Sequence, residues 1–102
     1  MIGFLGLKLW GTTAGLTVTY DGNGSTGGSV PVDNNSYALG ASVVVKANSG
    51  NLVKSGYAFL GWATASNAST PDFVVTGSTV NPSNFNMPAS NVTLYPEFPK
   101  TV

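Results

Sequence analysis

The stretch LTVTYDGNGSTGG, residues 16–28, decides the fold class, because its glycines admit two readings. Gly22, Gly24 and Gly27 stand at the spacing G-x-G-x-x-G, which in an α/β unit cradles the phosphates of a dinucleotide. Such a cradle needs a preceding strand, a helix opening within the motif so that its amides face the pyrophosphate, and an acid about 20 residues on. The strand is there, since Leu16, Val18 and Tyr20 alternate with Thr17, Thr19 and Asp21. The helix is not. Ser29-Val30-Pro31-Val32 is β-branched and broken by proline, so no helix N-terminus is available to hold phosphate. No acid stands between Ser42 and Lys46 either. Gly22, Gly24 and Gly27 therefore read as turn glycines that let the first strand fold back on residues 29–32 as a hairpin. Pro31, which lacks an N–H, confines that second strand to an edge or a bulge.

Outward from this stretch the pattern stays β. ASVVVKA (41–47) is the clearest β-branched run. YAFLGWAT (57–64) reads as a central strand apolar on both faces, with Tyr57 and Phe59 set against Ala58, Leu60 and Trp62. FVVTG (73–77) is a short strand, and NVTLYPEF (91–98) closes the domain with Val92, Leu94 and Phe98 toward the core. NSGNLVKSG (48–56) is a loop with room for one helical turn around Leu52 and Val53. NPSNFNMPAS (81–90), carrying Pro82 and Pro88, leaves space for a turn or a short 3₁₀ segment. No stretch sustains a 3.6-residue period.

The 102 residues suit one domain with a single core. Charged residues are 8% of the chain: Lys8, Lys46, Lys54 and Lys100 balance Asp21, Asp33, Asp72 and Glu97, and arginine is absent. A neutral chain without clustered cations is not a nucleic-acid surface, and it has no basic patch for anionic lipid. Abundant Ser, Thr, Asn and Gly with few Lys and Glu suits short strands joined by polar turns. MIGFLGLKLWG (1–11) is apolar, yet Gly3, Gly6 and Gly11 interrupt it and it is too short to span a bilayer. Lys8 follows the apolar residues, the reverse of a signal peptide, so residues 1–15 read as an N-terminal segment or interdomain linker.

The residues offer little chemistry. Cysteine and histidine are absent, which removes disulfides, thiolate ligands and the commonest general acid–base group. Asp21 and Asp33 can approach each other across a hairpin as half a calcium site, with DGNGS opening an oxygen-ligand loop, but no glutamate closes it at the twelfth position. Asx turns are the plainer use of both. Lys8, Lys46 or Lys54 with Glu97 contain the parts of a lysine–asparagine crosslink, though no spacing selects a trio. Trp62, Tyr57 and Tyr95 offer flat faces for a sugar if exposed; core packing is the competing use, above all for Phe59 and Trp62. Asn-x-Ser/Thr triplets at Asn23, Asn34, Asn67 and Asn91 are expected by chance in this composition.

Taken in order, VTYDGNGSTGGSVP, SGYAFLGWAT and FNMPASNVTLYPEF resemble the Listeria-Bacteroides repeat, or internalin B-repeat, family of bacterial surface proteins. The resemblance runs from Leu16 to about Phe98, with residues 99–102 as a C-terminal linker. It implies an α+β, mainly β fold: a β-grasp-like mixed sheet of about four to five strands with little helix. It also implies a non-enzymatic module without cofactors, found beside neighbouring repeats in extracellular, cell-surface or cell-wall proteins. There it acts as a spacer or stalk, or in adhesion to a host or matrix protein or glycan. Tyr57, Phe59, Gly61 and Trp62 match the family's Gly-Tyr-x-Phe-x-Gly-Trp block, whose implied role is structural. The closing strand departs from the family pattern at Pro96 and at Phe98, where tryptophan is common. A carbohydrate-binding module using exposed aromatics is the alternative reading of the same residues.

Overall fold

The computed structural model describes residues 15–99; residues 1–14, with Lys8 and Trp10, and residues 100–102, with Lys100, lie outside the described residues. Its strands are β1 (Val18–Tyr20), β2 (Ser42–Val44), β3 (Gly61–Ala63), β4 (Phe73–Thr76), β5 (Thr79–Asn81), β6 (Asn84–Asn86) and β7 (Val92–Glu97). Five form a mixed sheet in the order β1-β7-β3-β4-β5, and β2 pairs with β6 in a separate two-stranded sheet. The fold is mainly β, as the alternation along the chain requires. No helix occurs among the described residues, so neither the turn expected around Leu52 and Val53 nor a 3₁₀ segment forms.

The first and last strands lie side by side and parallel, Val18 level with Val92 and Tyr20 with Leu94. The other contacts within the large sheet are antiparallel. β3 sits at the middle of the sheet with all three residues buried, the position that a strand apolar on both faces demands. The period-2 pattern of residues 16–21 is kept, with Leu16, Val18 and Tyr20 buried and Thr17, Thr19 and Asp21 exposed. One face of the large sheet contributes Val18, Tyr20, Trp62, Phe73, Val75 and Leu94 to a continuous core. Val43, Val45, Leu52 and Met87 close that core from the β2–β6 side. A loop side chain replaces the expected helical turn: Asn48 accepts from the Leu52 N–H (2.8 Å) and donates to the Leu52 carbonyl (2.9 Å). That clamp holds Leu52 in the core at 2% exposure without regular structure.

Three expectations from the sequence are corrected. Residues 29–32 do not return as a hairpin partner of β1, whose ladder is with β7. The glycine stretch instead turns the chain against residues 50–53: Thr26 N–H donates to Val53 O, Val53 N–H to Gly27 O, and Ser29 N–H to Gly50 O. The segment after it is diverted by an Asx turn, in which Asp33 accepts the Asn35 N–H at 2.9 Å. Residues 84–86 form β6 rather than a turn, because Pro82 and Pro88 stand outside the three residues that pair with β2. Phe59 and Trp62, expected on opposite faces, share one. Leu60 N–H donates to Glu97 O while Gly61 stands opposite Glu97, so two residues face one and a β-bulge switches the face between Phe59 and Trp62.

Pro96 lies within β7, a strand with neighbours on both sides. Leu94 accepts from Asp21 N–H of the β1 side, and the pleat turns Pro96 N the same way. β1 has ended by then, at Tyr20 opposite Leu94, so the missing N–H costs the ladder nothing.

Candidate functional site

Phe59, Gly61 and Trp62 of the Gly-Tyr-x-Phe-x-Gly-Trp block converge on the core. Trp62 is fully buried, with Tyr20 edge-on at 4.9 Å between ring centroids and Phe59 edge-on at 5.1 Å. Phe98 continues the row against Phe59 at 5.8 Å, so the aromatic ending the last strand packs where the block begins. Burying the polar tips of Trp62 and Tyr20 requires partners, and one peptide segment supplies both. The Trp62 Nε1–H donates to the Lys46 carbonyl at 2.9 Å, and the Lys46 N–H donates to the Tyr20 hydroxyl at 2.8 Å. Burial pushes the Tyr20 hydroxyl above its usual range, against the Lys46 hydrogen bond and with help from the Asp33 charge. Gly61 is glycine for a packing reason, since a Cβ there would overlap the Phe73 carbonyl oxygen. Tyr57 lies outside this cluster, half-buried, with the Lys54 Nζ 4.1 Å from its ring centroid.

Among Gly22, Gly24 and Gly27, Gly24 alone takes a left-handed conformation (φ +81°), in a tight turn closed by Ser25 N–H to Gly22 O. Gly28, which the spacing argument passed over, is the second left-handed position (φ +81°), and a Cβ there would overlap the Asn51 carbonyl. These peptide groups are bonded to neighbouring loops rather than gathered toward a common anion.

The acids are likewise engaged locally. Asp21 caps the Asn23 N–H at 2.7 Å. Asp33 accepts from the Tyr37 hydroxyl at 2.6 Å and from both Asn35 nitrogens at 2.9 Å. Partial burial pushes the Asp33 carboxyl up, but Tyr37, Asn35 and the Lys46 charge together hold it below the usual range. Tyr37, as donor to that carboxylate, is raised. Asp72 closes the β3–β4 connection by accepting from Thr64 N–H (2.9 Å) and Oγ1–H (3.1 Å). Glu97 is buried, and desolvation with the nearby Asp72 charge pushes its carboxyl up. Among the described residues no three acids group as metal ligands. Among the described lysines, Lys46 sits by Asp33 and Lys54 over Tyr57, so neither is placed at Glu97 for the crosslink; Lys8 lies outside the described residues. As a sugar platform Trp62 is ruled out by its burial.

Among the described residues the arrangement is a packed aromatic centre without a reactive constellation. The sequence matches the family model of the Listeria-Bacteroides repeat domain over residues 16–96. Comparison with curated proteins and with solved structures finds no match. The chain belongs to the Listeria-Bacteroides repeat domain family, which is typical of bacterial surface proteins.

Proposed function

We propose that residues 16–98 form one non-enzymatic module that acts as a spacer between neighbouring repeats of an extracellular, cell-surface or cell-wall protein. The observation that carries this reading is the parallel pairing of β1 with β7. Because the two strands run the same way, the chain enters at one end of the sheet and leaves at the other. By register Leu16 is level with Ser90, so Glu97 lies about 23 Å farther along at roughly 3.3 Å per residue. Modules joined through such ends extend a stalk instead of folding back on one another. Tension on the ends then shears the β1–β7 hydrogen bonds, including Val92 N–H to Thr17 O and Asp21 N–H to Leu94 O, all at once. The family match and the commitment of the aromatic block to the core support a structural role over a catalytic one.

Protease treatment of intact cells of the source bacterium tests the location. Release of peptides from residues 16–98 without lysis is expected; release only after lysis overturns a surface role.

A further inference from the structure

A cleft of about 330 Å³ opens between the β3–β4 end of the large sheet and β6, near the small end of the range for ligand sites. Its apolar lining is Phe73, Phe85, Val92 and Pro88; Thr64, Asp72 and Asn86 supply the polar groups. Phe73 and Phe85 meet there at 5.4 Å, one from each sheet.

The cleft borders an open strand edge. In the β2–β6 pair Val43 stands opposite Phe85, while Val45 N–H bonds to Ser83 O and Met87 N–H to Ala41 O. Residues 83, 85 and 87 therefore face β2, and the pleat turns the N–H and C=O groups of Asn84 and Asn86 away from it. β6 has no second strand neighbour, and neither residue's main chain finds another partner among the described residues.

The rim is also charged without compensation. Asp72 lines the cleft and uses Oδ2 for Thr64. The described lysines are elsewhere, Lys46 by Asp33 and Lys54 over Tyr57. Asp72 thus gives the rim of this apolar cleft a negative charge.

We propose that this cleft takes an extended segment of a partner protein, added to β6 as a third strand, with an apolar side chain on Phe73 and Phe85 and a lysine or arginine at Asp72. Main-chain bonds to Asn84 and Asn86 supply sequence-independent affinity, and the aromatic floor and the carboxylate select the side chains. An acidic or proline-rich segment is rejected, the first by repulsion and the second by its missing N–H groups.

The test is to select from a random eight-residue peptide display library on the immobilised full chain, then to titrate the enriched peptides into the labelled protein by NMR. Enrichment of peptides pairing a basic residue with an aliphatic or aromatic one is expected, with amide shifts concentrated at Asn84, Phe85 and Asn86. Asp72→Asn, which keeps an acceptor for Thr64, is expected to weaken binding at least tenfold. So is N-methylation of alternate peptide nitrogens, a change that leaves the protein untouched. The proposal is overturned by no enrichment, by binding that leaves residues 84–86 unshifted, or by equal affinity for D72N or the N-methylated peptide. Self-association of the chain through the same residues, seen as concentration-dependent shifts, would make the occupant a second copy and also overturn it.

Discussion

Trp62 and Tyr20 show why this core contains polar atoms. Each ring is buried only because Lys46 offers one carbonyl and one N–H within 3 Å. Tyr20→Phe keeps the ring and strands the Lys46 N–H, which should cost about 1–3 kcal/mol in urea denaturation without altering the fold. Trp62→Ala, at about 3–5 kcal/mol, should leave little stability in a module of this size. The acids give a pH signature of opposite signs. Asp33 titrates lower folded than unfolded, so its stabilisation is present above the ordinary carboxylate range and lost as pH falls through its folded value. Glu97 titrates higher folded than unfolded, so its ionisation opposes folding at neutral pH. Glu97→Gln should therefore raise the urea midpoint at pH 7, and Asp33→Asn should lower it. The Glu97→Gln gain should shrink as pH falls through the ordinary glutamate range and be gone by about pH 3, where glutamate is protonated in both states.

At the level of strands, Gly61 and the edges carry the expectations. Gly61→Ala places a methyl on the Phe73 carbonyl and disturbs the bulge that turns Phe59 and Trp62 to one face. A loss of about 1–3 kcal/mol is expected by denaturation, with shifts spreading along β3 and β4. Amide hydrogen exchange should read the pleat of β6 directly: Phe85 slow, Asn84 and Asn86 fast. Exchange of all three at one rate would contradict the pairing. Most of this level was legible in the sequence. Alternation marked β1 and its buried face, β-branched residues marked β2, and an apolar run marked β3 as central. β5 was missed although Thr76-Gly77-Ser78-Thr79 carries a hairpin signal, a glycine that takes φ +61° at the first turn position. β6 was missed because Asn84 and Asn86 are poor strand formers, and only Phe85 and the partner strand hold them extended. The bulge was invisible for a different reason. A one-residue slip follows from what lies opposite Gly61, and local pattern carries no information about Glu97.

For the whole molecule, the family blocks implied a mixed sheet, and the structure has one, with its single parallel contact between the first and last strands. The sequence did not reveal that contact, because pairing between residues some seventy apart leaves no trace in local periodicity. Reading the glycine stretch as a hairpin assigned β1 the nearest partner, whereas burial of β7 against β1 won. The same contact gives the spacer reading its physical content. Pulling the full chain by its two ends in a single-molecule force experiment tests it most directly. One abrupt unfolding event is expected, gaining roughly 260 Å for residues 16–98 at up to ~3.5 Å per residue less the folded span. Its force should exceed that for the same chain pulled across the β4–β5 hairpin, where bonds open one after another. Gradual extension at low force, or equal forces for the two pulling directions, would contradict the claim that β1 and β7 hold this module together under tension.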